Sequence, residues 1–160
     1  MAWRGSTTVK DRIFASLPYL LPLISALPFG KYFFQQFPAL WDNFLKPLLT
    51  PVLFIYQTIP FADLVIFFLL FFLVVRNERI IHFIRFNTMQ AILLEIFLFL
   101  CSLAMMGLVF LFRLELITQT LSNVIFLGTL VACGYSVVQS LLGRYAEIPT
   151  ISEAVHAQVR

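Results

Sequence analysis

Charge is scarce in this chain. Asp, Glu, Lys and Arg make up 12% of 160 residues, against about 25% in soluble domains. Cysteine is scarcer still. Cys101 and Cys133 both fall inside apolar runs, so they read as small buried hydrophobes, without the spacing of a disulfide framework or a metal site. There are six glycines, and they build no phosphate-cradling loop; no HExxH helix is present either. His82 and His156 stand in polar segments beside the apolar runs, and neither meets a nucleophile at a recognisable motif. These absences predict no enzyme, no metal and no cofactor. The Lys and Arg residues are scattered singly, which argues against a nucleic-acid partner, and no internal repeat is visible.

What the chain has is oil. Apolar residues reach 61%, and 19 residues are Phe; mean hydropathy is +0.93. A chain of this length has too little interior to hide that much apolar side chain from water. A soluble globule and a disordered chain are both excluded. The expected fold is an all-α integral membrane protein, a single membrane domain of four transmembrane helices with short interfacial amphipathic helices, and the lipid bilayer is its first partner.

The first span is expected over residues 13–29. A basic start before an apolar run can mark a signal peptide, but no A-x-A site follows, and a retained helix is the better reading. Pro18 and Pro22 are four apart on one face and predict a kink. Residues 30–51 mix Lys31, Asp42 and Lys46 with aromatic rings and Pro38, Pro47 and Pro51. That mixture suits the headgroup boundary, with a re-entrant segment as the alternative. Further spans are expected over 52–75, 87–112 and 116–142, each near or above the ~20 residues that cross a bilayer. In the tail, 150–160, Thr150 and Glu153 fit a capping box after Pro149. Ile151, Val155 and Val159 recur every four residues as one apolar face, expected to dock on the membrane surface or a partner.

Four spans put both termini on one side. Arg4, Lys10, Arg12, Arg76, Arg79, Arg85, Arg144 and Arg160 then share a compartment, and Lys31, Lys46 and Arg113 face the other. Eight against three places both termini in the cytoplasm, or its plastid equivalent, the stroma.

Several polar residues sit where lipid disfavours them. Glu95 lies about two turns into the third span, at a cost of roughly 2.5–3.5 kcal/mol unless protonated, paired or wetted. Asn87, Thr88, Ala91, Glu95 and Ser102 share an arc of about 100° on that helix. The stripe is either the wall of a water-accessible path or a buried polar face bonded to a neighbouring helix. Asp63 is expected to snorkel to the outer interface, and Gln90 to lie close to headgroups. Gly128, Ala132, Ser136 and Ser140 form a small-residue ridge that reads as a helix-packing seam, within the chain, against a second copy, or on another subunit.

The run Arg85-Phe-Asn-Thr-Met-Gln-Ala-Ile-Leu-Leu-Glu-Ile96 resembles the signature of the twenty-kilodalton membrane subunit family of the translocon at the inner envelope of chloroplasts, cyanobacterial relatives included. Tyr145-Ala-Glu-Ile-Pro-Thr-Ile-Ser-Glu-Ala-Val155 is similar to that family's closing motif, and Tyr19-Leu-Leu-Pro22 also fits. The motif residues carried over are Arg85, Asn87, Gln90, Glu95, Pro149, Ser152 and Glu153, with no catalytic role. His156 and Ala157 depart from the family pattern, where an aromatic residue and Met are common. With no Ser/Arg-rich transit peptide before the first span, the chain looks like a cyanobacterial, plastid-encoded or processed member. The resemblance implies a channel-forming subunit of a protein-import complex in a cyanobacterial membrane or plastid inner envelope. Its implied partners are other translocon subunits and unfolded precursor polypeptides. Four spans from one copy cannot enclose a polypeptide-sized pore, so self-association or other subunits are required. A small-solute or ion transporter using Glu95 and Asp63, and a non-conducting scaffold subunit, are the alternatives.

Overall fold

A computed structural model describes residues 7–159. Among them every regular element is helical. We label these α1 (Val9–Gln36), α2 (Pro38–Thr58), α3 (Ala62–Val75), α4 (His82–Phe112), α5 (Glu115–Leu141) and α6 (Ile151–Gln158). Three of them, α1, α4 and α5, are long and apolar enough to cross a bilayer. The α2–α3 pair adds a fourth crossing only if the two halves count as one span, because they meet at 97°.

α1 starts on a capping box. The Thr8 amide donates to Asp11 Oδ2 at 2.8 Å, and the Asp11 amide donates back to Thr8 Oγ1 at 3.3 Å. Its prolines are absorbed by tightening. Pro18 and Pro28 each open a short 3₁₀ turn, Leu17–Tyr19 and Leu27–Gly30, and Pro22 sits in the first turn of the next α-helical piece. Inside the continuous helix each proline removes one backbone hydrogen bond, and the tightened turns accommodate its ring without ending the helix. The helix therefore continues to Gln36, past the expected end at residue 29, and takes in the start of the expected interfacial segment.

The expected second span, 52–75, is not one straight helix. Pro60 drives Ile59 into extended backbone (φ −101°, ψ 114°). Phe61 follows in the left-handed region at φ 58°, an uncommon setting for a bulky residue. The chain turns there and α3 starts. At 1.5 Å per residue α3 is roughly 20 Å long, short of the ~30 Å hydrocarbon layer.

α4 is 31 residues long, and its first turns come from the polar joint before the expected start at residue 87. It returns into α5 through Arg113, at φ 48°. α5 ends at Gly143, where φ is +73° and a Cβ would lie 2.8 Å from Thr7 Oγ1 and 2.9 Å from Arg12 Nε. Only glycine fits that conformation and that approach without strain. The start of α1 thus meets the end of α5, and the 76–85 joint and the tail lie at the same end of the bundle.

The tail folds back onto its own chain. Val155 and Val159 join Val75, Phe86, Met89 and Ile92 in one buried cluster, so α6 docks on protein rather than on lipid or a partner. Its start also differs from the expected capping box. Thr150 takes φ 71° and makes no side-chain cap. Instead Ser152 Oγ accepts the Ile148 amide at 2.7 Å. With Thr150 turned away from N-cap geometry, the next hydroxyl along satisfies the loop. Two more clusters stack along the bundle: Tyr19, Ala91, Leu94 and Cys133, then Ala26, Phe29, Leu98 and Phe126. Outside them large apolar side chains are bare, Phe110 at 82% and Leu116 at 77% exposure, as a lipid-facing surface requires.

Candidate functional site

The polar stripe of α4 divides into two environments, because what stands opposite the helix changes along its length. Near the α4 start the neighbours are α1 and α5, closely packed. Asn87 is fully buried there and makes three contacts. Its Nδ2 donates to Phe83 O at 2.8 Å, and its Oδ1 accepts from Tyr19 Oη at 3.0 Å and from Ser140 Oγ at 2.9 Å. Gln90, expected near headgroups, is fully buried instead and donates to Ser136 Oγ at 3.3 Å. Thr88 is buried with no partner for its hydroxyl. This knot ties three helices through polar groups that lipid could not satisfy.

Farther along α4 the wall opposite falls away. Past Ala26 the first helix tightens into its second 3₁₀ turn, and the bent pair does not close the gap. A half-open cleft of about 1350 Å³ results, walled by α1, the α2–α3 bend, α4 and the first turns of α5. Its lining is mainly apolar, with Phe29, Phe99 and Phe110 among the rings, and Glu95 and Ser102 of the stripe open onto it. Ser25 Oγ donates to Glu95 Oε1 at 2.7 Å. The other carboxyl oxygen, Oε2, is buried and has no hydrogen-bond partner. Asp63, expected to snorkel outward, lies in the first turn of α3 and lines the same cleft, as does Tyr56. That position sets a carboxylate at a helix N-terminus, where the backbone dipoles favour it.

The expected packing seam is also split. Ser136 and Ser140 are buried, whereas Gly128 is exposed and Ala132 half-buried. Residues four apart drift by about 40° per step on a 3.6-residue helix, so a twelve-residue row cannot keep one face inward. Gly128 and Ala132 border a shallow groove with Tyr135 and Pro149; the inward row is Thr129, Cys133, Ser136 and Ser140.

At the tail, His82 Nδ1 lies 3.0 Å from Tyr145 Oη, and His82 Nε2 lies 3.2 Å from Val159 O. A carbonyl only accepts, so Nε2 carries the proton and Tyr145 donates to Nδ1. Burial pushes the Tyr145 phenol up from its ordinary value. Arg85 Nε donates to Val75 O at 2.8 Å, pinning the 76–85 joint. The His156 ring packs on Phe86 with centroids 4.8 Å apart. Of the tail motif, Ser152 is buried and Glu153 exposed. Sequence reasoning missed Tyr19, Ser25 and Tyr145 as polar partners. Only their positions opposite Asn87, Glu95 and His82 give them a role.

The 85–96 run and the tail motif thus lie on α4 and on the segment docked against it. A family profile described as "Chloroplast import apparatus Tic20-like" matches residues 8–155. A Tic20 family protein of Synechocystis is 51% identical over 162 aligned positions, covering 100% of this chain and 99% of that one. The chain belongs to the Tic20 family. Other Tic20 relatives come from plastid-bearing organisms. The Tic20 family protein Ycf60 of Gracilaria tenuistipitata is 37% identical, over 95% of this chain and 76% of its own. Protein TIC 20-v, chloroplastic, of Arabidopsis thaliana is 31% identical, over 96% and 73%. In this Tic20 chain the resembling residues take different parts. Asn87 and Gln90 are in the knot, Glu95 is on the cleft, Arg85 is on the joint, and Ser152 is in the tail dock.

Proposed function

We propose that this chain is a membrane subunit of an import-type translocon and forms part of the path of a polypeptide, completed by other subunits or further copies. Membership of the Tic20 family over nearly the whole chain carries this reading. The half-open cleft supports it: one copy offers a wall with an acidic group inside the bundle rather than a closed conduit, and a second surface must complete it. In this reading α2 and α3 together make the fourth crossing, with the bend at Ile59–Phe61 inside the membrane.

The chain sits with both termini in the cytoplasm or stroma. The supporting observation is that Arg12, the 76–85 joint with its three arginines, and Arg144 gather at one end of the bundle. Single cysteines at Gln158 and at Arg113, in a background lacking Cys101 and Cys133, test this with a membrane-impermeant thiol reagent on sealed vesicles. Position 158 labels from the cytoplasmic face and position 113 from the opposite one. Labelling of both from the same face rejects the topology.

Gentle-detergent purification of tagged chain, with mass spectrometry of what co-migrates, tests the function. A complex containing import subunits or precursor polypeptides is expected, with ion leak after reconstitution. A chain that migrates alone and leaks no ions counts against a translocon role and favours a scaffold.

A further inference from the structure

The cleft has a chemical asymmetry that helix packing does not require. Its walls are apolar and aromatic, yet Glu95 and Asp63 both open onto it. Glu95 Oε2 is buried without a hydrogen-bond partner. Among the described residues, Lys31 is the one cation on the lining, and its ammonium lies over the Tyr32 ring, 5.9 Å from the centroid. The volume, about 1350 Å³, exceeds the ~300–1,000 Å³ usual for small-molecule sites.

We propose that the cleft receives an apolar polypeptide segment carrying a lysine or arginine, with Glu95 and Asp63 as the residues that select it. This rests on the translocon reading above and names the class of polypeptide that the path accepts. The basic side chain lays its methylene stem along the apolar wall and brings its charge to the carboxyls. A guanidinium or ammonium pairs with the exposed Asp63 carboxylate and with Glu95 once a side-chain rotation brings Oε2 out of its buried position to the cleft, as a charge-assisted hydrogen bond in a poorly hydrated setting. The Tyr56 and Trp41 rings on the lining add faces on which a cation rests. Lipid is the poorer occupant: an acyl chain gains nothing from two carboxyls, and an anionic headgroup is repelled by them. A second copy docking through the exposed face of α5 is poorer too, because α5 contains no Lys or Arg.

The test uses the full chain in phosphatidylcholine nanodiscs, with the photo-cross-linker p-benzoylphenylalanine in place of Phe99. The probes are Leu/Ala peptides of about 20 residues, long enough to span, with a central Arg, Gln or Glu. The Arg peptide is expected to cross-link about tenfold more than the Gln peptide, as one charge-assisted hydrogen bond implies, and the Glu peptide least. Glu95→Gln keeps an acceptor for Ser25 and removes the charge; Asp63→Asn changes an exposed side chain. Each is expected to lower the Arg preference, and the pair to abolish it. Equal capture of Arg and Gln peptides, or an Arg preference that survives both substitutions, overturns this inference and leaves the translocon reading standing. Capture of no peptide, as a resident lipid would cause, or cross-linking of chain to chain alone, also overturns this inference, while the translocon reading is decided separately by the co-purification and ion-leak experiment above.

Discussion

Asn87→Leu is expected to destabilise the purified chain by about 2–3 kcal/mol, a large effect for one substitution of similar size. Asn87 accepts from Tyr19 and Ser140 and donates to Phe83 O. Loss of its oxygen takes away the 3.0 Å acceptor of the Tyr19 hydroxyl, which is fully buried and is left with the Ser136 side chain alone, and an under-satisfied buried polar group costs about 1–3 kcal/mol. Ser140 is spared, because its hydroxyl also reaches Ser136 O at 2.7 Å. The rest of the cost is the misfit of a branched apolar group in a tight polar niche. Tyr19→Phe removes the same bond from the other side and leaves Asn87 its remaining partners, so about 1 kcal/mol is expected. The pair is informative in combination. With Tyr19→Phe already in place, Asn87→Leu strands no hydroxyl and costs less than it does alone. Thermal unfolding in detergent, followed by helical circular dichroism, measures all three variants. Strict additivity would mean that the Tyr19–Asn87 bond does not hold α1 to α4.

Val155→Asp is expected to act on the tail alone, and strongly. Val155 is fully buried among Phe86, Met89 and Ile92, where a carboxylate has no donor to meet it and costs several kcal/mol. The tail has a cheaper response than global unfolding. α6 is eight residues long, too short to hold its own helix in water. Undocked, it frays and returns the charge to solvent, a local opening of the kind seen at weakly held elements. Amide exchange over residues 151–159 is expected to quicken about a hundredfold, equivalent to roughly 2.7 kcal/mol, with α4 and α5 unchanged. Trypsin should also cut faster after Arg144. Unchanged exchange in the tail would show that the buried cluster is not what holds it.

Both effects concern residues whose class was legible and whose partners were not. The 150–160 segment announces an apolar face through Ile151, Val155 and Val159. Nothing local says that the face meets Phe86 rather than lipid, since either would bury it. The same holds for Glu95 and Asn87. Their spacing puts them on one arc of α4, but a helical wheel carries no record of which level faces Tyr19 and which faces an open cleft. Gly128 and Ser140 fail to share a face for a reason the sequence does contain, the 40° drift of an i+4 row; the spacing was right and the row too long. Pro60 likewise carried its own signal. It bars helix at Ile59, yet hydropathy averaged across residues 52–75 hides a break that a single residue makes.

Residence in lipid, the helical class, the polar joints and the family follow from the order of residues alone. Transfer free energy is a sum over side chains in a window, and backbone groups in hydrocarbon must bond within their own helix, so neither depends on what lies across the bundle. Tertiary structure decided which polar groups glue helices and which open onto a cleft, the 97° turn between α2 and α3, and the docking of the tail on its own chain. Those outcomes depend on groups far apart in sequence meeting in space, such as Tyr19 with Asn87 and His82 with Val159, and no local pattern encodes the partner of a hydrogen bond that crosses between helices.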